Sequence, residues 1–253
     1  MDNLELADVV DTIEEYVQGI GYPNTEQIEL PPPPEEGEDR SRPPESGMQV
    51  IIVDVETGPS FTVIAKPETE YFKIQSTYPL WQDLAEALTP DAAKEFIPDE
   101  IQADIPEDHP IRSELAKGAL EDEEHRLRAL GAFELLRRVD LDIRKDLVYQ
   151  LSRIFTRAEV KHFVGSPDSE AAPHEFMVEY KIFPYSDQFG YRELNDAIER
   201  VRMAAQRGTL YLRYAFNLGV DLEGSTAGEI DSNPDPPGEI QSLEDRDGVN
   251  GPP

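Results

Sequence analysis

The chain has 253 residues, of which 53 are acidic and 23 basic, so its formal net charge is −30; only 7 of the basic residues are Lys. This charge argues against nucleic acid as the main ligand, because phosphate contacts depend on fields of Lys and Arg. There is no Cys and no run of about 18 apolar residues, which excludes disulfides, cysteine nucleophiles and a membrane span, and the acidic N-terminus adds to the expectation of a cytoplasmic protein.

Residues 1–20 are predicted to form an amphipathic helix, over 3–20, that packs on the main domain. Apolar side chains recur there with a helical period, and every charged side chain is acidic. The next segment, 21–47, contains seven Pro, seven acids and two Arg. We predict a disordered, polyproline-leaning linker for it, because it lacks the apolar content to fold. A ligand for a proline-binding groove is the functional alternative.

Residues 48–78 predict a meander of three antiparallel strands, around which the rest of the fold is organised. Side chains alternate with a period of two in three short runs, 51–56, 61–66 and 71–76. Turn residues separate the runs, among them the Gly58-Pro59 pair. The connections are too short for a parallel crossover, so neighbouring strands must run antiparallel.

An acidic helical insertion is predicted at about 86–158. Its first part, 86–124, contains 13 acids and 3 bases, and Pro residues interrupt it. We expect this part to be exposed and loosely organised. The segments 111–138 and 143–155 are helical by composition and apolar period. A short helix starting at Trp81 joins the meander to this insertion.

A strand hairpin, a long helix and a tail complete the chain. The segment 159–164 is predicted to pair with the strand at 176–183. A turn at 184–190 then leads into a long helix, whose apolar period begins at Leu194. Residues 209–216 could form a strand, although their period favours a continued helix in which Gly208 marks close packing. With nine acids and one Arg, residues 221–253 are predicted to be a disordered acidic tail. The main domain, 48–220, is therefore α+β, with an antiparallel sheet of about five strands covered by helices.

One short motif carries possible chemistry. The run from Ile51 to Gly58, IIVDVETG, resembles the first motif of the DEDD 3′–5′ exonucleases, an apolar strand followed by Asp-x-Glu-Thr. The resemblance implies that Asp54 and Glu56 hold divalent metals for phosphodiester hydrolysis. The later motifs of those nucleases differ: no Asn-x-x-Phe-Asp segment occurs, and Asp168 follows His162 by six residues where the family has five. An acidic strand end before a Gly-Pro turn is the alternative.

Other sites are not evident in the sequence. The four His residues fall in different predicted elements, with no pair spaced for a metal: His109, His125, His162 and His174. There is no Gly-rich phosphate loop and no Gly-x-Ser-x-Gly elbow. We therefore predict a non-enzymatic protein without a cofactor and without catalytic or metal-binding residues, and keep the Asp54–Glu56 metal site as the alternative.

Two resemblances shape the functional expectation. The dense carboxylates with few Lys resemble proteins of salt-in halophiles. The order of elements over 6–20, 50–78, 160–183 and 194–216 is similar to the type III secretion chaperone-like fold, and the segment 176–205 (FMVEYKIFPYSDQFGYRELNDAIERVRMAA) resembles the strand–turn–helix end of haloarchaeal families of unknown function. Chaperones of that fold bind extended segments of client proteins and often dimerise. The resemblance thus implies a protein-binding, chaperone-like module with a protein partner, and a homodimer is one form that it can take.

Overall fold

The structure, a computed structural model, describes residues 3–30, 47–67, 69–103, 105–106, 109–116, 120, 122–166 and 171–218. The predicted tail at 221–253 and most of the predicted linker lie outside these residues. The described elements, in chain order, are α1 (Asn3–Ile20), β1 (Thr25–Leu30), β2 (Met48–Val53), β3 (Phe61–Ala65), β4 (Phe72–Pro79), α2 (Leu80–Ala87), α3 (Pro90–Phe96), α4 (Asp99–Ala103), α5 (Ile111–Ala116), α6 (Glu123–Arg137), α7 (Leu141–Arg157), β5 (Lys161–Phe163), β6 (Glu175–Ile182) and α8 (Tyr191–Ala215).

The protein has an α+β fold built on an antiparallel sheet. The described residues form six strands in the order β1-β2-β3-β4-β6-β5, so the expectation of about five strands was one too few. The predicted meander is β2-β3-β4 and the predicted hairpin is β5-β6. The hairpin joins the meander through a β4–β6 pair, with Phe72 opposite Ile182 and Pro79 opposite Glu175.

The extra strand corrects the linker prediction. Residues 25–30, expected to be disordered, form the edge strand β1 against β2. The composition of this segment concealed the strand, because its acids Glu26 and Glu29 are exposed and its backbone hydrogen bonds come from a distant segment. Acidic side chains are tolerated on an edge strand, where they also discourage pairing with other chains.

One face of the sheet, here called the core face, carries the hydrophobic core. Directly opposed residues of antiparallel strands point to the same face. The row Ile51, Val63, Ile74 and Tyr180 therefore runs across four strands on the core face. The first three of these side chains are at most 1% exposed. The predicted alternation in the meander is confirmed by this burial pattern.

Helix α1 lies over the core face at the β1 end of the sheet. Its Asp11 accepts a hydrogen bond from Gln27 at 3.0 Å, and its Glu14 accepts one from Thr25 at 2.5 Å. Both donors belong to the row of β1 that faces the core side. The apolar stripe of α1 is buried as predicted, with Ile13 and Val17 fully inaccessible.

Helices α7 and α8 cover the other end of the core face. The ring of Phe155 on α7 contacts Phe176 of β6, with centroids 4.9 Å apart. A Cβ added to Gly208 of α8 would lie 2.7–2.8 Å from atoms of these two rings, so the predicted close packing at Gly208 is confirmed. Burial and the nearby Asp146 carboxylate raise the pKa of Tyr211 to about 12, and the Tyr211–Asp146 hydrogen bond joins α8 to α7. Residues 209–215 are helical, as their period indicates.

The insertion contains separate helices packed on one another. The expected continuous helix at 111–138 is two, α5 and α6, and a segment that is not fully described lies between them. Trp81 of α2 stacks on Phe133 of α6 with centroids 5.4 Å apart. Gly131 of α6 lets α3 approach, because a Cβ there would lie 2.7 Å from Cβ of Ala93. Arg213 of α8 donates two hydrogen bonds to Asp83 of α2, which fixes the helix that leads into the insertion against α8.

Candidate functional site

The second face of the sheet, here called the open face, carries the candidate site. It comprises the side chains that alternate with the core rows. One of its rows runs Ile28, Val50, Ile64, Lys73 and Lys181 across five strands. A neighbouring row contains Ile52, Thr62, Gln75, Glu179 and Lys161. The open face also carries Glu26, Leu30, Met48, Thr77, Pro79, Glu175, Met177 and Phe163.

The helices α1, α7 and α8 all contact the core face. None of these three helices covers the rows of the open face. On the open face Leu30 is 38% exposed and Phe163 is 59% exposed. Val50 is buried, at 6% exposed, and Ile28, Ile52 and Ile64 are half-buried. All four lie outside the core cluster. An antiparallel sheet with one solvated face normally alternates apolar and polar residues, with the polar ones outward. The aliphatic rows of the open face depart from that rule.

The open face has an apolar end and a lysine end. The apolar end is built by strands β1 to β3. Its apolar side chains are Ile28, Leu30, Met48, Val50, Ile52 and Ile64, and Glu26 and Thr62 lie among them. The lysine end is built by β4, β5 and β6 and consists of Lys73, Lys161, Lys181 and Glu179. Three of the seven Lys of the sequence thus lie together among the described residues of this face.

Glu179 is the buried centre of the lysine end. It accepts hydrogen bonds from Lys73 at 3.0 Å and from Lys161 at 2.9 Å, and its side chain is 3% exposed. Burial opposes ionisation of Glu179, but the hydrogen bonds and charges of the two Lys outweigh it and lower the pKa of the carboxyl group. The same hydrogen bond raises the pKa of Lys161. Both shifts favour the ionised forms of Glu179 and Lys161 at neutral pH.

The two outer ammonium groups remain accessible. The side chain of Lys161 is 71% exposed although it binds Glu179. Lys181 is exposed and lies over the ring of Tyr71, with Nζ 3.8 Å from the centroid. An ammonium group has three N–H donors, so each Lys can still donate to a ligand carboxylate.

The residues of the alternative metal site lie apart from this cluster, beyond the end of β2. Asp54 and Glu56 are both exposed and follow the last strand residue, Val53. Gly58 has φ of +95°, and Arg202 of α8 donates to the Thr57 carbonyl at 3.2 Å, which pins the turn. Within the described ranges, no group of three or more His, Asp or Glu side chains is placed to hold a metal ion.

The four His residues have structural contacts. His109 is buried; its Nδ1 accepts from the Ile111 N–H at 3.2 Å, so its Nε2 donates to Glu134 at 3.0 Å. His109 and His174, predicted to lie in different elements, both contact the Phe133 ring. The remaining two also have local partners: His162 contacts Phe155, and the backbone N–H of His125 donates to Asp122.

Sequence reasoning missed the Glu179 cluster and the His109–Glu134 pair. The alternation of β6 does place Met177, Glu179 and Lys181 on one face, which is a readable signal. Lys73 joins them only because β6 pairs with β4, a contact between residues 106 positions apart. Glu134 is on a helix and 25 positions from His109, so no local pattern marks the pair.

Comparison with known proteins adds one similar structure. No family model and no curated protein matches the sequence. Among solved structures, the crystal structure of an uncharacterized protein from Methanothermobacter thermautotrophicus is similar, with 11% sequence identity and a TM-score of 0.46 over 82% of this chain and 99% of that one. In the part of the chain that the structure describes, no helix has the length and apolar character to cross a membrane.

Proposed function

We propose that this protein is a non-enzymatic, chaperone-like binding module of a halophilic archaeal cytoplasm, and that its open face is where a segment of another protein docks. The observation that carries the proposal is the aliphatic surface of β1 to β3, which α1, α7 and α8 leave uncovered on the opposite face. Contiguous apolar surface on a soluble protein commonly marks a site where another molecule binds.

The energetics of the open face favour a docked segment. Burial of apolar surface contributes about 25 cal/mol per Å², so covering several half-exposed aliphatic side chains supplies a few kcal/mol. The surrounding polar and charged side chains form the rim that such interfaces normally have. The pleated surface is also rigid, because each strand from β2 to β4 is hydrogen-bonded on both sides, so little conformational entropy is lost on binding.

The halophilic setting is supported by the charge of the chain. A net charge of −30 with only 7 Lys keeps a surface hydrated in concentrated salt. In such a setting electrostatic steering is weak, since the Debye length is about 3 Å at 1 M salt. Partner recognition then depends on apolar burial and short contacts, which the open face offers.

The test compares partner capture by wild-type and face variants. The tagged protein is incubated at molar KCl with lysate of the source organism, and captured proteins are identified by mass spectrometry. We expect the Ile52→Asp/Ile64→Asp variant to lose a protein that the wild type retains. The matched control is Ile143→Asp, since Ile143 is 52% exposed on α7 and far from the open face in the fold.

Capture that is unaffected by the face variant would contradict the proposal. Circular dichroism melts establish that each variant is folded. If the double Asp variant is unfolded, the milder Ile52→Gln and Ile64→Gln variants replace it, because Gln keeps the length of the side chain while removing apolar surface. Loss of the partner in a folded variant, with retention by Ile143→Asp, supports docking at the open face.

A further inference from the structure

We infer that the open face selects a partner segment that carries aliphatic side chains followed by carboxylates, the aliphatic part over the apolar end and the carboxylates at the lysine end. This inference rests on the proposed function and adds the chemical class of the partner. The observation behind it is the placement of Lys73, Lys161 and Lys181 beside the apolar rows in a chain of net charge −30.

The lysine end keeps a local positive charge. Two ammonium groups bind the carboxylate of Glu179, and a third, that of Lys181, lies on the same face of the sheet, so these four side chains carry a formal charge of +2. Glu179 is shared by two of the Lys residues, and the third rests on an aromatic ring. A partner carboxylate can therefore complete the coordination of Lys161 and Lys181 without breaking the internal hydrogen bonds.

A partner segment with basic side chains would be repelled at the lysine end. Its cations would be placed next to ammonium groups, and like charges in contact are destabilising. The acidic surface elsewhere attracts cations only over distances that salt screens, about 10 Å at 0.1 M and about 3 Å at 1 M. Contact chemistry at the lysine end therefore decides the preference at high salt.

The spacing of the two ends suits a short extended segment. Neighbouring strands lie about 4.8 Å apart, so Ile64 and Lys181, two strands apart in one row, are separated by about 10 Å. Alternate residues of an extended segment lie about 7 Å apart on one side. A segment of about ten residues, with aliphatic residues on one half and carboxylates on the other, spans both ends.

The experiment measures peptide binding to the full chain. The probe is a fluorescently labelled 12-residue peptide with Val at alternate positions in its first half, Glu at alternate positions in its second half, and Ser elsewhere. A matched peptide has Lys in place of Glu. Fluorescence anisotropy at 1 M KCl is expected to show binding of the Glu peptide at least fivefold tighter than that of the Lys peptide.

Charge reversal at the lysine end provides the specific test. The Lys161→Glu/Lys181→Glu variant is expected to weaken binding of the Glu peptide by roughly tenfold and to improve binding of the Lys peptide. Lys145→Glu is the control, because Lys145 is exposed on α7 and its change does not touch the sheet. Lys161 also binds the buried Glu179 carboxylate, so melting curves are recorded for every variant. The single Lys181→Glu variant and a Lys161→Gln/Lys181→Gln variant replace the double reversal if that variant is unfolded.

Several outcomes would overturn the inference. Equal affinity for the two peptides, preference for the Lys peptide, or an unchanged affinity in the charge-reversed variant would each exclude an acidic partner. A chain that sediments as a dimer and becomes monomeric in Ile52→Asp would show that a second copy occupies the face. If neither peptide binds while lysate capture still depends on Ile52 and Ile64, the partner chemistry is wrong and the proposed function stands.

Discussion

At the scale of single residues, Asp54 separates the two functional interpretations. It is exposed after the end of β2, and an exposed side chain without special contacts usually contributes little stability. We expect Asp54→Asn to change the free energy of unfolding by less than about 1 kcal/mol. The wild type is expected to show no degradation of single-stranded DNA or RNA with Mg²⁺ or Mn²⁺ at high salt. A divalent-dependent activity that disappears in Asp54→Asn would instead establish the nuclease alternative, with Asp54 and Glu56 as its ligands.

Within the sheet, we expect substitution of Glu179 to lower the free energy of unfolding. Glu179→Gln leaves Lys73 and Lys161 facing a neutral amide, and we expect a loss of about 1–3 kcal/mol at pH 7 in urea denaturation. Because the folded-state pKa is below the ordinary 4.5, ionised Glu179 stabilises the fold fully above that value. The stability is lost as pH falls through the lowered pKa.

The pH dependence distinguishes loss of the Glu179 charge from a packing defect, because a packing defect would not depend on pH in this range. The difference in unfolding free energy between wild type and Glu179→Gln should shrink as pH falls below about 4.5. The control is Glu86→Gln, which removes one charge from an exposed site on α2 and should show no such difference. A difference that stays constant down to pH 3 would contradict the assigned role of Glu179.

At the scale of elements, Gly208 sets how closely α8 approaches the rings beneath it. Ala is the better helix former by about 1 kcal/mol, so a substitution decided by helix propensity would stabilise. The added methyl group would lie 2.7–2.8 Å from the buried rings of Phe155 and Phe176, which cannot move away freely. We expect Gly208→Ala to destabilise the fold by about 1–2 kcal/mol in net terms.

Thermal and urea unfolding measure this balance. The control is Arg207→Ala on the exposed side of the same helix, where the change should stay within about 0.5 kcal/mol. Stabilisation by Gly208→Ala would show that α8 can shift away from β6 and α7 at no cost.

At the scale of the whole molecule, the net charge of −30 opposes the compact state by self-repulsion. Raising KCl from 0.1 to 1 M shortens the Debye length from about 10 to about 3 Å and should raise the melting temperature. Circular dichroism melts at both salt concentrations measure the shift. The effect should be much smaller near the sequence pI of about 4.3, where the repulsion is neutralised. Equal melting temperatures at neutral pH would remove the support for a halophilic origin.

Local periodicity predicted the elements that bury a continuous apolar stripe or row. The α1 stripe, the β2-β3-β4 meander, the β5-β6 hairpin and the helix through 209–215 all followed from it, because burial on one face imposes a period of 3.6 or 2 on the chain. The α+β class followed from these elements. Among the described residues, acidic composition misled the prediction at 25–30, where a strand is completed by β2 rather than by its own residues. It also misled the prediction at 86–124, expected to be exposed, where Ala93, Ile97 and Ile111 are buried.

The candidate site depended on contacts that the chain makes only after folding. The open face could not be assigned from alternation alone, because that pattern shows two faces without showing which one the helices cover. The joining of Lys73, Glu179 and Lys161 needs the β4–β6 pairing, and the His109–Glu134 pair needs the packing of the insertion. Sequence by itself determined charge, class and most elements, since these rest on short-range patterns. Tertiary structure decided which side chains meet, since strand order and helix placement are set by long-range pairing and burial of the whole core.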